Sequence, residues 1–173
     1  MFCTREIDMS SYIIIRGPLG CGKSTIAKEL SKKLGAKYFA VDIVLDEYDL
    51  TRYKEEGYIA QKSFFKANEI IAERARKFLE ANKTVIFDGN FYWKSAIEDL
   101  IKRLKYPHHV FTLKAPVETC IARDEERGKT HGEDAARAVY KKSTEFNYGI
   151  GIDTENKTPK ETLEKIISHL KRD

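Results

Sequence analysis

The stretch that decides the fold is Gly17-Pro18-Leu19-Gly20-Cys21-Gly22-Lys23-Ser24, which Thr25 follows directly. It matches the pattern G-x-x-x-x-G-K-[ST] at every fixed position. A short run of apolar residues, Tyr12–Ile15, precedes it, and apolar residues at helical spacing follow it over 23–34. The pattern therefore stands between a predicted strand and a predicted helix, which is the context that this motif requires.

The glycines of this motif allow a loop whose backbone N–H groups bind phosphate. Gly17, Gly20 and Gly22 permit backbone conformations that a Cβ would forbid. Successive N–H groups then point at phosphate oxygens, and the helix dipole adds positive potential at the same place. We expect residues 17–25 to bind ATP, with Lys23 bridging the β- and γ-phosphates and the Ser24 hydroxyl on Mg²⁺.

Strand-like and helix-like segments alternate along the rest of the chain. Further short runs rich in β-branched and aromatic residues lie at 37–41, 84–87, 110–113 and 149–152. Apolar residues at helical spacing cover about 58–81, 94–104, 117–127 and 134–142. A last helix is predicted to begin with Thr158 as N-cap, Pro159 at the first position and Glu161 closing a capping box. The alternation predicts an α/β fold of the three-layer P-loop NTPase type, with a five-stranded parallel sheet and a small lid.

The composition indicates one soluble domain. Of the 173 residues, 42% are hydrophobic and 34% are charged, and the net charge is +4. A chain of this length builds one core without disulfides or metal, so we predict a single domain over 1–173. Basic and acidic residues are interleaved, which argues against sequence-independent coating of nucleic acid. Cys3, Cys21 and Cys120 lack metal-ligand spacing, and no apolar run could cross a membrane, so a cytoplasmic protein is expected.

Acidic residues follow two predicted strands, at the edge where parallel sheets bind ligands. Asp42 follows the second strand and is predicted to orient or deprotonate an attacking hydroxyl; the alternative is an N-cap. Asp88 ends the third strand in the manner of a Walker B carboxylate that holds Mg²⁺. Alternatively Asp88 contacts the acceptor, as Asn90 is also expected to do, or orders the turn. Asp46 and Asp49 are interpreted as solvated or substrate-rim residues.

Two arginines at helical spacing indicate a lid. Arg123 and Arg127 lie on one face of a helix that Gly128 ends, and Lys129 adds to the basic cluster. We predict a lid over about 123–137, in which both arginines stabilise charge on the transferring phosphoryl group. The alternative is an exposed helix end with Glu–Arg pairs. Arg137 is a weaker candidate for phosphate contact.

Other residues near the motif leave two interpretations open. The Cys21 thiol at a helix N-terminus is either lowered in pKa and oxidisable, or simply fills a variable position. Tyr92 and Trp93 either shape the acceptor pocket or pack in the core. His131, inside the predicted lid, either contacts substrate or lies on the surface.

Together these residues resemble the small P-loop kinases, and most closely the 5′-kinase domain of phage-type polynucleotide kinase. The resemblance covers about 13–170 and includes the loop 17–24, Asp42, Asp88-Gly-Asn90 and Arg123-x-x-x-Arg127-Gly. It implies that Asp42 is the catalytic base, that both arginines belong to a lid, and that 149–154 forms part of an adenine pocket. Gluconate, shikimate and adenylylsulfate kinases, chloramphenicol phosphotransferase and zeta-type toxins look similar in the same elements.

The sequence thus predicts a kinase that transfers the γ-phosphoryl group of Mg·ATP to a hydroxyl group. A small-molecule or nucleoside-type acceptor is favoured, because basic and aromatic residues do not interleave as in a single-strand groove. The alternatives are a polynucleotide 5′-hydroxyl kinase and, outside the enzymes, a nucleotide-dependent switch or ATP-binding module. The identity of the acceptor and the oligomeric state are left open by the sequence.

Overall fold

The structure is a computed structural model that describes residues 10–128 and 131–171. Cys3 and Lys129, named above, lie outside these ranges. Strands are β1 Tyr12–Arg16, β2 Lys37–Ala40, β3 Lys54–Glu55, β4 Tyr58–Ile59, β5 Val85–Gly89, β6 His108–Lys114 and β7 Ile150–Asp153. Helices are α1 Lys23–Leu34, α2 Val41–Glu47, α3 Gln61–Glu80, α4 Lys94–Leu104, α5 Val117–Glu126, α6 Glu133–Ser143 and α7 Pro159–Leu170.

Five parallel strands form the central sheet in the order β2-β5-β1-β6-β7. Strand β1 is central, and all of its residues from Tyr12 to Arg16 are buried. Tyr12 and Ile14 pack with helices on one face, whereas Ile13 and Ile15 pack on the other. Because both faces are covered, the strand shows no alternation of polar and apolar residues. The predicted α/β fold with a five-stranded parallel sheet is confirmed.

The ends of β2 and β5 differ from the prediction in a way that matters for the site. Strand β2 ends at Ala40, and α2 begins at once with the buried Val41. Asp42 therefore lies in the first turn of a helix, and Ala40 occupies the N-cap position. The N-cap interpretation of Asp42 is wrong. Strand β5 continues to Gly89, so Asp88 lies within the strand and pairs across the sheet with Ala40.

A small hairpin was missed by the sequence analysis, which assigned 58–81 to one helix. Strands β3 and β4 pair antiparallel through Lys54 with Ile59 and Glu55 with Tyr58. The two connecting residues, Glu56 and Gly57, both have positive φ, which is the geometry of a tight hairpin turn. Helix α3 begins only at Gln61, whose backbone N–H donates to the Glu55 carboxylate at 2.9 Å.

Helix ends with local chemical signals were predicted well. The bounds of α1 and α4 agree with the predicted 23–34 and 94–104. At α7 the Thr158 hydroxyl accepts a hydrogen bond from the Glu161 N–H at 3.2 Å, and the Glu161 carboxylate accepts one from the Thr158 N–H at 2.7 Å. This is the predicted capping box. Among the described residues, the helices are all too short or too polar to cross a bilayer.

Candidate active site

The loop between β1 and α1 requires glycine at two positions. Gly20 has a φ of 78°, and a Cβ there would lie 2.1 Å from the Cys120 carbonyl oxygen. At Gly17, with a φ of 149°, a Cβ would lie 2.6 Å from the Leu113 carbonyl oxygen. The backbone of this loop therefore packs directly on β6 and α5, which no larger residue allows. The expectation that these glycines adopt conformations closed to other residues is confirmed.

A small cavity of about 170 Å³, here called the loop cavity, lies against this loop. Its lining consists of Leu19, Gly20, Gly22, Lys23, Ser24, Asp42, Asn90, Asp124, Arg127 and His131. Lys23 is buried, and its ammonium donates to the Pro18 carbonyl of the loop itself at 2.8 Å. The structure thus brings Lys23, Ser24, Asp42 and Arg127 to one cavity, at the N-terminus of α1.

Asp88 is not among the residues that line the loop cavity, and one oxygen of its carboxylate has no hydrogen-bond partner among the described residues. Its Oδ2 accepts a hydrogen bond from the Tyr38 hydroxyl at 2.8 Å, while Oδ1 is buried without a partner. The Ser24 hydroxyl is close enough to Tyr38 to lower its pKa slightly. Burial, followed by the neighbouring Asp88 charge, raises the pKa of Tyr38, so this hydroxyl stays protonated and donates. An unpaired carboxylate oxygen next to a hydroxyl group fits the oxygen donors that Mg²⁺ prefers.

Tyr38 was not recognised as a site residue from the sequence. It lies on β2, where it pairs with Ile86 of β5. The sequence assigned it only to a strand. A tyrosine within a predicted strand matches no motif. Only the pairing of β2 with β5 brings its hydroxyl to Asp88.

The Asp42 carboxyl has a raised pKa. Burial raises its pKa to about 6, opposed by the nearby Lys23 ammonium. The Asp88 and Asp46 carboxylates raise it further, and a hydrogen bond from the Asn90 backbone lowers it. A carboxylate with a pKa close to neutrality is suited to accept a proton.

A larger cleft of about 680 Å³, here called the hairpin cleft, opens on the other side of Asp42. Its lining consists of Leu19, Asp42, Leu45, Asp46, Thr51, Lys54, Glu56, Gly57, Tyr58, Ile59, Asn90, Tyr92, His131, Ala135, Ala138 and Val139. Asp42 and Asn90 line both this cleft and the loop cavity. The Asn90 side-chain oxygen is buried and has no hydrogen-bond partner within the described ranges. The two spaces therefore meet at a carboxylate and an unpaired amide oxygen.

Tyr92 and Trp93 hold the hairpin in place. The Tyr92 hydroxyl accepts from the Ile59 N–H at 2.9 Å, and Trp93 Nε1 donates to the Ile59 carbonyl at 2.8 Å. Both rings are buried, and Tyr92 also lines the hairpin cleft. Both sequence interpretations hold for Tyr92, because it packs in the core and shapes the cleft.

A third space of about 210 Å³, here called the α7 pocket, lies on the far side of the loop. Its lining consists of Cys21, Gly22, Thr25, Ile26, Arg123, Glu126, Arg127, Thr154, Lys157, Pro159 and Thr162. Arg123 donates to the Thr154 hydroxyl at 3.0 Å and to its carbonyl at 2.7 Å. Arg123 therefore lies at this pocket, whereas Arg127 lines both the pocket and the loop cavity.

The resemblance assigned 149–154 to an adenine pocket, and of these residues only Thr154 lines the α7 pocket. Gly149 has a different structural task, since a Cβ there would lie 2.1 Å from the Val110 carbonyl oxygen. Thr154 joins three elements, because it also contacts the Lys114 carbonyl at 3.1 Å.

The segment predicted as a lid joins α5 to α6. The His131 N–H and ring Nδ1 contact the two Asp124 oxygens at 3.3 and 3.4 Å, which places His131 at both the loop cavity and the hairpin cleft. Arg137 forms ion pairs with Glu118 at 3.0 Å and Glu133 at 2.8 Å. Closure of this segment stays a prediction.

The Cys21 thiol does not have the properties of a redox site. It is buried, and this burial raises its pKa, although Lys23 opposes the shift. A thiol with a raised pKa holds little thiolate at neutral pH, and thiolate is the reactive form. The interpretation of Cys21 as a thiol of lowered pKa is wrong.

The comparisons with known proteins agree with this geometry. The chain is 25% identical over 165 residues to shikimate kinase of Persephonella marina, covering 92% of this chain and 98% of that protein. Among solved structures, a gluconokinase from Sinorhizobium meliloti has a TM-score of 0.75 at 14% identity, covering 95% of this chain and 93% of its own. APS kinase CysC of Mycobacterium tuberculosis has a TM-score of 0.73 at 14% identity, covering 94% and 98%.

These structural likenesses show the fold, and they confirm the predicted P-loop kinase architecture. The profile of one sequence family matches residues 13–146, which include the glycine-rich loop, Asp42, Asp88, Arg123 and Arg127. The chain therefore belongs to the AAA_33 family, described as an AAA domain.

Proposed function

We propose that this protein is a kinase that transfers the γ-phosphoryl group of Mg·ATP to a hydroxyl group of a small molecule. The observation that carries the proposal is the position of Asp42, which borders the loop cavity on one side and the hairpin cleft on the other. With a pKa of about 6 it is largely ionised at neutral pH and ready to accept a proton. A hydroxyl in the hairpin cleft would meet a phosphate in the loop cavity at this residue.

Each residue of the site has a task in this reaction. The loop 17–25 holds the phosphates, and Lys23 leaves the Pro18 carbonyl to bind the β- and γ-phosphates. The acceptor oxygen forms a bond to the γ-phosphorus, its proton passes to Asp42, and the bond from the γ-phosphorus to the leaving oxygen of ADP breaks. Arg127, which lines the loop cavity, stabilises charge on the transferring group.

The metal and the nucleotide base are assigned from the same geometry. Ser24 and Asp88 would hold Mg²⁺, because the Tyr38 hydroxyl bonds only Oδ2 of the Asp88 carboxylate and leaves the buried Oδ1 available as an oxygen ligand. When bound, Mg²⁺ neutralises charge on the phosphates. The α7 pocket, on the other side of the loop, would take the base, and Arg123 with Thr154 would shape it.

The names of similar proteins support a small-molecule acceptor. Shikimate kinase, gluconokinase and APS kinase each bear the name of a small substrate. These names do not favour the polynucleotide 5′-hydroxyl kinase that the sequence left as an alternative. We also propose one domain over 1–173 and the cytoplasm as the place of action, where ATP is available and the buried thiols of Cys21 and Cys120 stay reduced.

The direct test is transfer of label from ATP. Labelled ATP is incubated with Mg²⁺, a panel of metabolite alcohols and a 5′-hydroxyl oligonucleotide. We expect label in a small alcohol and none in the oligonucleotide. Lys23→Ala should reduce transfer by a factor of about 10² or more, because phosphate charge loses its main cation.

Lys33→Ala, at an exposed position near the end of the same helix, serves as the matched control and should keep full activity. Label in the oligonucleotide alone would restore the polynucleotide alternative. Tight ATP binding with label in neither pool would favour the switch. Full transfer by Lys23→Ala would contradict the assignment of the loop.

A further inference from the structure

The hairpin cleft carries more negative than positive charge. Among the described lining residues the carboxylates are Asp42, Asp46 and Glu56, whereas the basic side chains are Lys54 and His131. None of the described lining residues is an arginine. Arginine is the side chain best suited to bind a carboxylate or phosphate through two hydrogen bonds. An acceptor that carries an anionic group would meet little there to hold it.

Two basic side chains of α6, the helix that contributes Ala138 and Val139 to the cleft, are already engaged in other contacts. Lys142 forms ion pairs with Glu56 at 2.9 Å and Glu145 at 3.0 Å, and its side chain is only 8% exposed. Its ammonium also lies 4.1 Å from the centre of the Trp93 ring. Arg137 of the same helix pairs with two glutamates, as described above. These side chains would have to break contacts before they could bind an anionic acceptor.

Asp46 is an acidic residue of the cleft that forms no ion pair within the described ranges. It lies one helical turn after Asp42 on α2, and its charge contributes to the raised pKa of Asp42. A further negative charge on the acceptor would be repelled by the Asp42 and Asp46 carboxylates that line the cleft, and it would raise the pKa of Asp42 so that less of this residue is ionised. A protonated amine would lower it and would pair with Asp46.

The remaining lining favours groups that donate hydrogen bonds and groups that are apolar. The buried Asn90 oxygen without a partner needs an N–H or O–H donor, which a carboxylate or phosphate oxygen does not supply. Tyr58 and Tyr92, with ring centres 5.6 Å apart, form an aromatic wall continued by Leu45, Ile59 and Val139. This wall fits the C–H face of a ring or a short carbon chain.

We infer that the phosphoryl acceptor is an alcohol without an anionic group, an uncharged polyol or an amino alcohol with one apolar face, held between Asp42, Asp46 and the tyrosine wall. The inference rests on the proposed kinase function and names the substrate class of that same site. It separates this chain from kinases whose acceptors bear a carboxylate or a phosphate.

The test uses matched sets of acceptors that differ in charge on one scaffold. Glucose, glucosamine and gluconate form one set, methyl shikimate and shikimate a second, and a nucleoside with its 5′-monophosphate a third. The rate of label transfer from Mg·ATP gives kcat/KM for each compound. We expect an uncharged or amine-bearing member to exceed its anionic counterpart by about tenfold or more, from the like-charge repulsion at the cleft.

A substitution tests whether the charge of Asp46 sets the preference between anionic and amine-bearing acceptors. Asp46→Lys should shift the ratio of anionic to amine-bearing acceptors by about tenfold or more towards the anion, because the sign of the cleft charge changes. Asp49→Asn is the matched control, since Asp49 pairs with Arg52 outside the cleft and its loss should leave the ratio unchanged.

Preference for an anionic member in any set, or labelling of none of the uncharged and amine-bearing members, would overturn the inference. An unchanged ratio in Asp46→Lys would overturn it too. The proposed function fails separately, when calorimetry shows no binding of Mg·ATP, and the inference then falls with it. If Mg·ATP binds and only anionic acceptors are labelled, the proposed kinase function holds and only the inferred class of acceptor is wrong.

Discussion

At the scale of single residues, Asp42 connects the chemistry of the site to the stability of the fold. Its side chain is partly exposed to two spaces, yet burial of the carboxyl raises its pKa from 3.8 to about 6. A carboxyl with a raised pKa binds a proton more tightly in the folded than in the unfolded chain. The stabilising effect of that proton is complete below the unfolded pKa and is lost as pH rises through the folded pKa.

Activity should therefore depend on pH through Asp42. In the free enzyme kcat/KM is expected to rise with pH through about 6, because only the ionised carboxylate accepts the acceptor proton. Asp42→Asn should lose a factor of roughly 10² to 10⁴ in turnover with little change in ATP affinity. Initial rates between pH 5 and pH 8, together with calorimetry of ATP binding, measure both effects.

The same substitution should stabilise the fold at neutral pH. At pH 7.5 the Asp42 carboxylate is ionised in surroundings that disfavour its charge. Its replacement by asparagine should raise the free energy of unfolding by roughly 1 to 2 kcal/mol, which is less than the full pKa shift would give because water enters both clefts. The gain should vanish below the unfolded pKa of 3.8, at about pH 3, where Asp42 is largely protonated in both states. Urea unfolding at the two pH values checks this, with the exposed Asp49→Asn as control. A flat rate profile, or lower stability of Asp42→Asn at pH 7.5, would mean that Asp42 is structural.

At the scale of elements, the β3–β4 hairpin and α6 close the outer side of the hairpin cleft. Lys142 on α6 pairs with Glu56 at the hairpin turn and covers Trp93. The Tyr58 hydroxyl donates to the Ala138 carbonyl of α6 at 3.2 Å. These contacts join a pair of two-residue strands, which would not be stable alone, to a helix of the main body.

Lys142→Met should therefore affect the acceptor and leave the nucleotide alone. The change keeps the chain length and removes the ion pairs and the cation–aromatic contact with Trp93, a loss of about 1 kcal/mol that would raise KM for the acceptor roughly fivefold. KM for ATP should stay constant, because no hairpin residue lines the α7 pocket or the loop cavity. Steady-state kinetics with Lys141→Met, an exposed neighbour, provide the comparison. Equal changes in the KM for the acceptor and the KM for ATP would show that the hairpin does not act on acceptor binding alone.

At the scale of the whole molecule, two apolar clusters share one sheet. One cluster contains Tyr12, Ile14 and Phe87 with α3 and α4, and the other contains Ile13 and Ile15 with α1 and α7. Because alternate residues of the same strands enter the two clusters, neither face can unfold while the other stays intact. This arrangement supports the proposal of a single domain.

Thermal unfolding should accordingly show one cooperative transition. Far-UV circular dichroism reports all helices, and fluorescence reports Trp93, the single tryptophan, which lies in the cluster with α3 and α4. We expect both signals to have the same midpoint, and Mg·ADP to raise that midpoint equally for both. Two midpoints separated by several degrees would indicate that the faces unfold independently.

The sequence predicted those parts whose signal lies within a few neighbouring residues. The glycine-rich loop, the bounds of α1 and α4 and the capping box at Thr158 all depend on contacts within one or two turns. The hairpin was missed, because strands of two residues are too short to show a period. Asp42 and Asp88 were placed at the correct edge of the sheet. However, Asp42 lies in the first turn of α2 and Asp88 lies within β5, not directly after strands.

By itself, then, the sequence determined the phosphate-binding loop, the parallel sheet around it and the acidic residues at its carboxyl edge. Tertiary structure alone decided what surrounds each group, because those neighbours come from distant parts of the chain. Tyr38 reaches Asp88 by the pairing of β2 with β5, and Arg123 binds Thr154 across the fold. The pKa of Asp42 likewise depends on Lys23, Asp88 and Asn90, which only packing brings together. Local spacing specifies elements, whereas acidity and substrate charge depend on the dielectric and the charges that the folded chain assembles.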